Sequence, residues 1–483
     1  MHLHNIIRIL GILLLSFSST VIPSIFIAYY YVEPDGCSYY LLTMAVIATI
    51  GLSLWLPCRT SRTNIRIRDG FLIVTFAWLL LSTIAALPFI FSPHNISWVD
   101  AVFEATSGLT ATGSTILYEL DSMPRSLLYY RQQLQFIGGM GIILLAVAIL
   151  PALGTGGMQL FRAEVTGPSK DNKLVPKIAQ YAKNIWQIYL SLTVFCALSY
   201  WSAGMEWFDA ISYGFSTVST GGFATHDASI GYFANNNITL ISIFFMLLSS
   251  INFSLHFLAM ARGGIRYYWH DIECRYYLSM IIIAIIVVSA ALYIANITDN
   301  LPQTLLEAAF AVTAFATTTG LAISDINSWP LFLSFFLLAL GIIGGCGGST
   351  SGGIKVIRAI LLCKHAAREL KRLLHPHAYY DITIKQRAIP TRTMDAIAGF
   401  IILYIMLFAI ITLSLLLTGV DFASAFAATA ATISNIGPGL GSVVQNFSEL
   451  SDAAKIILSG AMILGRLEIF TALVLLFALQ EPK

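Results

Sequence analysis

Ten runs of predominantly apolar residues constrain this chain more than any other feature, because each has about the 20 residues that a helix needs to cross a hydrocarbon core. They fall near residues 6–30, 39–57, 70–91, 131–153, 181–204, 237–262, 276–297, 330–361, 394–418 and 453–478. Backbone groups in lipid must be bonded within the segment, so the runs predict an all-α polytopic membrane protein. The clearest is Leu278 to Ala295. Arg8 followed by an apolar stretch gives the first run the look of a signal peptide, but apolar residues continue as far as Tyr31, and the run reads as a retained anchor. Only 11% of the 483 residues are Asp, Glu, Lys or Arg, against roughly 25% in soluble domains. A formal charge of +2 over this length excludes a nucleic-acid surface. Cys37, Cys58, Cys196, Cys274, Cys346 and Cys363 have no metal or disulfide spacing and read as buried small apolar residues.

The basic residues set the orientation. Arg59, Arg62, Arg66 and Arg68 share one loop, Arg162, Lys170, Lys173 and Lys177 another, and Arg358 to Arg392 contributes eight more. The positive-inside rule makes these segments cytoplasmic and, with ten spans, places both termini inside. Lys355 and Arg466 stand apart, since both fall within apolar runs.

Between certain spans lie segments too short to cross and too apolar to be free loops. They read DAVFEATSGLTATGS from Asp100, DAISYGFSTVSTGGF from Asp209, EAAFAVTAFATTTGL from Glu307 and SAFAATAATISNIGP from Ser424. Thirteen positions after each first residue stands a glycine: Gly113, Gly222, Gly320 and Gly437, at intervals of 109, 98 and 117 residues. Each segment suits a short re-entrant helix followed by extended backbone, which is tolerated at membrane depth only where protein or a watery cavity meets its polar groups. A helix entering from outside aims its negative end at the centre and favours a cation there. The Ser/Thr-Gly backbone can then offer carbonyl rings in place of an ion's hydration shell. Small residues also serve helix packing, but four copies in register favour a pore. Asp100, Asp209 and Glu307 read as caps of short helices, with cation concentration in an outer vestibule as a compatible second role.

These segments, together with FRAEVTGPSKDNKLVPKIAQYAKNIWQIY from Phe161, QFIGGMGIILLAVAILP from Gln135, NFSLHF from Asn252 and GGCGGSTSGGIKVIR from Gly344, resemble the TrkH/TrkG branch of the Trk/Ktr/HKT superfamily over nearly the whole chain. The resemblance implies four pseudo-symmetric repeats of membrane helix, re-entrant pore helix and membrane helix around one pore, preceded by an extra pair of spans. The divisions are 1–68 for the extra pair, then repeats at 69–180, 181–275, 276–392 and 393–483. It also implies potassium uptake across a bacterial inner membrane, a homodimer, and control by a cytoplasmic nucleotide-binding ring like TrkA. Potassium is then the substrate, with no covalently bound cofactor. Carried over, the selectivity filter is Thr110, Ala111, Thr112 and Gly113; Ser219, Thr220, Gly221 and Gly222; Thr317, Thr318, Thr319 and Gly320; and Asn435, Ile436 and Gly437. Sodium-preferring plant relatives often carry Ser at the first filter glycine, and Gly113 favours potassium. No copy has the full TVGYG of potassium channels, so fewer ordered ion sites are expected, and Asn435 with Ile436 sets the fourth quadrant apart.

A gate is expected in the eighth run, where Gly344, Gly345, Cys346, Gly347, Gly348, Ser349, Thr350, Ser351, Gly352 and Gly353 interrupt a helix-forming stretch, each glycine costing about 1 kcal/mol in a helix. The string lacks the GK[ST] ending of a phosphate-binding loop. The resemblance implies a loop across the permeation path beneath the filter. Arg466 costs at least about 2.5 kcal/mol in lipid and should face the pore or a partner. Two positions from Glu468 on a helix, it points elsewhere, and a fixed positive charge in a cation path completes a barrier. The basic segments His365 to Arg392 and Arg162 to Lys183 are candidate docking surfaces, or else orientation signals drawn to anionic headgroups. Proton- or sodium-coupled symport is the alternative to voltage-driven flux; no carboxylate is seen to accompany a filter string. HExxH, GxSxG and paired aspartates within spans are absent, and His256 reads as a packing residue, so no enzyme is expected.

Overall fold

The computed structural model describes residues 3–60, 67–94, 96–141, 177–297, 300–375, 377, 380–384, 387–444 and 446–473. Its helices are, in chain order, α1 (Leu3–Ser19), α2 (Ile22–Tyr30), α3 (Gly36–Cys58), α4 (Ile67–Ile84), α5 (Leu87–Phe91), α6 (Trp98–Leu109), α7 (Arg125–Gly139), α8 (Lys177–Ser202), α9 (Trp207–Ser219), α10 (Asn236–Ser249), α11 (Phe253–Arg262), α12 (Arg266–His270), α13 (Ile272–Ile294), α14 (Leu301–Ala316), α15 (Leu331–Ile343), α16 (Val356–Leu374), α17 (Thr391–Leu417), α18 (Phe422–Ile433) and α19 (Asp452–Arg466). A two-residue ribbon pairs Thr383–Ile384 with Arg387–Ala388, a detail not foreseen from the sequence.

Apolar residues lie on both faces of the long helices. On α13, Tyr277, Ile281, Ala284, Val288 and Leu292 recur every three or four residues and pack inward. Ile282, Ile283 and Ile286 on the opposite side are 58–62% exposed. A helix apolar all round is at home only in a large core or in lipid, and this chain is a polytopic membrane protein. Among the described residues, Leu3–Tyr30, Gly36–Cys58, Asp69–Phe91, Ile272–Ile294 and Thr391–Leu417 are long and apolar enough to cross, the first and third with a short turn between α1 and α2 and between α4 and α5.

Three further runs are interrupted, the one near 330–361 at the glycine-rich string as expected and the other two where continuous helix was expected. The run near 237–262 bends by 92° between α10 and α11. Asn252 accepts from the Ser254 amide at 2.8 Å and starts a new helix there. The run near 330–361 breaks between α15 and α16 at the glycine-rich string. The last run ends its helix at Arg466, after which Glu468 and Ile469 take φ of 51° and 55°. The latter half of the run near 131–153 and the chain beyond 473 lie outside the described residues.

The four short helices α6, α9, α14 and α18 fill the middle of the bundle. Ser97 caps α6 by accepting from the Asp100 amide at 3.1 Å, and Asp421 caps α18 through the Ser424 amide at 3.0 Å. Their small side chains let neighbours approach closely. In α18, Ala425, Ala427, Ala428, Ala430 and Ala431 are all fully buried. The cysteine expectation holds for Cys58, Cys196, Cys274 and Cys346, whereas Cys37 is half-buried and Cys363 is exposed near the polar end of α16.

Candidate functional site

All four short helices end in the same way. The amides of Thr112, Gly221, Thr319 and Ile436 donate to the carbonyls five residues earlier, Ser107, Ser216, Ala314 and Ala431, at 2.8–2.9 Å. The residue before each donor, Ala111, Thr220, Thr318 or Asn435, has φ between 51° and 56°. A left-handed residue followed by this six-to-one bond is a Schellman cap, which satisfies carbonyls left over at a helix end. Glycine normally holds that left-handed position, and Ala or Thr there costs roughly 1–2 kcal/mol. Of the four, Asn435 suits the conformation best. The fourth string, set apart by its residue types, therefore adopts the same backbone as the others. Asn435 also donates its Nδ2 to Thr112 Oγ1 at 2.8 Å and to the Met462 carbonyl at 3.1 Å, tying the fourth string to the first.

Two residues after each left-handed position comes the glycine, again at positive φ: 87° at Gly113, 81° at Gly222, 73° at Gly320 and 102° at Gly437. Each glycine abuts the next string in sequence. A Cβ on Gly113 would lie 2.1 Å from the Gly221 carbonyl oxygen, on Gly222 2.0 Å from that of Thr319, on Gly320 2.3 Å from that of Ile436, and on Gly437 2.7 Å from that of Thr112. The last contact returns to the first string, so the four close into a ring. Both the backbone angle and the space admit only glycine.

The segments following the four glycines line a cavity of 700 Å³ whose walls include Gly113, Gly222, Gly320 and Gly437. Its acidic residues are Glu119, Asp227 and Asp325. Asp100, Asp209 and Glu307, expected as caps of short helices with an outer vestibule as a second role, are each bound to neighbouring groups. Asp100 accepts from Lys455 Nζ at 2.6 Å, Asp209 from the Thr225 hydroxyl at 2.7 Å, and Glu307 from Gln303 at 3.0 Å. Asp100 and Asp209 do lie in first helical turns, but Glu307 sits mid-helix because α14 begins at Leu301. His226, also in the cavity wall, bonds Asp121 through Nδ1 and approaches Asp209 at 3.4 Å through Nε2, stacked on Tyr232. Burial lowers its pKa, but the hydrogen bonds and charges of the two aspartates outweigh that and raise it above the ordinary histidine value.

A carboxylate does accompany the first string, contrary to expectation. Glu104 is completely buried and accepts from Arg131 Nε at 2.7 Å and from the Ile116 amide at 2.9 Å. Arg131 also donates to the Ala224 carbonyl at 3.2 Å and to Thr115 Oγ1 at 3.0 Å, with its guanidinium 4.3 Å from the Phe223 ring centre. The pair joins the backbone just after Gly113 to the backbone just after Gly222. Relative motion of the two segments must break the ion pair or one of the hydrogen bonds by which it holds them.

On the other side of the ring lies the loop Gly344–Gly353. Its Gly352 amide donates to Thr318 Oγ1 at 2.7 Å, its Gly353 amide to the Ser434 carbonyl at 2.9 Å, and its Thr350 hydroxyl to the Val218 carbonyl at 3.1 Å. Three of the four helix ends thus rest on it. The loop also fills the break between α10 and α11: the Cys346 amide donates to the Ser250 carbonyl at 2.9 Å, and the Phe253 amide to that of Gly348 at 3.0 Å. Two interrupted helices here satisfy each other's backbone groups at membrane depth. Arg466 reaches the same loop, donating to the Thr350 carbonyl at 3.1 Å and to the Gly138 and Gly139 carbonyls of α7 at 2.7 and 3.0 Å. Glu468 pairs with Arg358 instead, and the Lys355 ammonium bonds the Ser351 carbonyl.

His256 packs as expected, bonding the Tyr268 hydroxyl at 2.8 Å and the Leu248 carbonyl at 2.9 Å. Of the two basic segments, 365–392 continues α16 and includes the short ribbon. The segment Arg162 to Lys183 lies outside the described residues up to its last turns, which open α8.

A family model described as "TrkH: Cation transport protein" matches residues 39–483. Similar proteins include the Trk system potassium uptake protein TrkH of Salmonella typhimurium, 48% identical with 98% of each chain covered. The Trk system potassium uptake protein TrkG of Escherichia coli is 39% identical over the same shares. The crystal structure of the potassium transporter TrkH from Vibrio parahaemolyticus is 45% identical, covers 99% of each chain and superposes with a TM-score of 0.89. With a family match over residues 39–483 and relatives of this identity along nearly its whole length, the chain belongs to the TrkH family of cation transport proteins.

Proposed function

We propose that this chain takes up potassium across a bacterial inner membrane through the ring of Gly113, Gly222, Gly320 and Gly437, as the selectivity filter of a gated, channel-like pathway. The observation that carries the reading is the ring's closure: four strings with one backbone, each glycine set against the next string's carbonyl oxygen. The filter comprises 110–113, 219–222, 317–320 and 435–437, contributed by the repeats 69–180, 181–275, 276–392 and 393–483 after the extra pair at 1–68. The helix ends converge on it with their negative poles, which favours a cation. The driving force is the membrane potential, about 2.3 kcal/mol per unit charge per 100 mV.

The loop Gly344–Gly353 and Arg466 form the gate. Supporting this, the loop touches the ends of three short helices while Arg466 links it to α7. Both termini face the cytoplasm, where a nucleotide-binding ring like TrkA docks on the basic segments of a homodimer and moves α16. The relatives' names support potassium as substrate and a multi-component system. The test is flux in liposomes: potassium should enter with imposed voltage and exceed sodium, with no change on adding a pH gradient. Flux locked to a proton or sodium gradient would replace this mechanism with symport.

A further inference from the structure

The ring is not held equally on its four sides, and the exception is a side chain. Gln135 lies fully buried on α7, four residues after Arg131. Its Nε2 donates to the Gly221 carbonyl at 2.6 Å and its Oε1 accepts from the Phe223 amide at 3.2 Å. The carboxamide therefore brackets Gly222, fixing the peptide groups on both sides of it. Among the described residues, no side chain donates to the corresponding carbonyls of Thr112, Thr319 or Ile436.

The sequence of the second string fits this contact. Where the other strings carry Thr112, Thr319 and Ile436, this one has Gly221, and a Cβ there would lie 2.4–2.8 Å from the Gln135 carboxamide atoms. The second consecutive glycine makes room for Gln135. The carbonyl that Gln135 holds is also the one set against Gly113. One helical turn further along α7, the Gly138 and Gly139 carbonyls accept from Arg466. A single helix thus carries the clamp on the second string and the anchor of the proposed gate.

We propose that Gln135 is a specificity-determining positioning residue, which sets the place of the Gly221 carbonyl and so the ion preference of the second quadrant. The proposal rests on the filter reading above. Gln135→Glu keeps the shape and the acceptor for Phe223 but removes the donor to Gly221 and sets a carboxylate against its carbonyl. The sodium-to-potassium flux ratio in liposomes should rise by roughly tenfold, as loss of about one net hydrogen bond allows. Gln135→Met, similar in size and uncharged, should raise it in the same direction, and it serves if the Glu variant does not assemble. Gly320→Ser, in a quadrant Gln135 does not touch, is measured alongside. If the ratio moves for Gly320→Ser and not for either Gln135 variant, the role of Gln135 is overturned and the filter reading stands. A ratio unmoved by all three overturns the filter reading itself. Potassium and sodium fluxes falling in equal proportion in the Gln135 variants would mean a structural role only, and would also overturn the proposal.

Discussion

Glu104 and Arg131 offer a quantitative test of the packing behind the ring. Their side chains are 0% and 1% exposed, so neither charge is screened by water. Removing one partner strands the other charge, which costs about 3–5 kcal/mol in a protein interior. Glu104→Leu and Arg131→Met should each destabilise by that amount. The double variant removes both charges together and leaves mainly the Ile116 amide and the Ala224 carbonyl without their side-chain partners. Orphaned groups cost about 1–3 kcal/mol each, so the double variant should cost about as much as either single one, not the sum. The coupling energy should then be about 3 kcal/mol or more. Denaturant titration in detergent micelles of the wild type, both single variants and the double variant gives the cycle directly. Coupling below about 0.5 kcal/mol, the range of independent sites, would refute the view that this ion pair joins the two strands.

Three further outcomes are expected. Gly222→Ala places a Cβ 2.0 Å from the Thr319 carbonyl oxygen at a φ of 81°, so the ring must shift to admit it, and potassium flux in liposomes should fall at least several-fold with sodium admitted in greater proportion, while the protein still purifies as a folded species. Arg466→Ala removes three charge-assisted bonds to backbone carbonyls; on the proposed gate, loss of about 3 kcal/mol from its closed state should raise basal cation flux roughly a hundredfold, measured without any partner. His226 has its pKa raised in the folded state, so its stabilisation is complete below about pH 6.5 and declines as pH rises through the folded value. Thermal unfolding in detergent from pH 6 to 9 should show that decline, and His226→Gln should remove it.

Much of this geometry was legible in the sequence, for reasons that can be traced. The four glycines stood out because their positions demand both a positive φ and the absence of a Cβ, which leaves one residue type. The break at Gly344–Gly353 was equally plain, since consecutive glycines cannot hold a helix at membrane depth. The left-handed residues before the glycines were hidden because Ala111, Thr220 and Thr318 are poor candidates for such angles, and the closed ring imposes them. Asn435, which looked like a departure, is the one residue whose chemistry suits its backbone. The bend after Ser249 was invisible within a continuous apolar run, because the groups that satisfy it come from a loop about 100 residues later. Pairings such as Glu104 with Arg131 and Glu468 with Arg358 depend on helix approach, which local spacing does not encode.

The most direct test of the glycine ring as the ion path is to locate the ion. Crystals of the protein grown in rubidium or thallium, both potassium mimics with strong anomalous scattering, should show a peak on the axis encircled by Gly113, Gly222, Gly320 and Gly437. Anomalous peaks elsewhere in the protein, with none on that axis, would contradict the account.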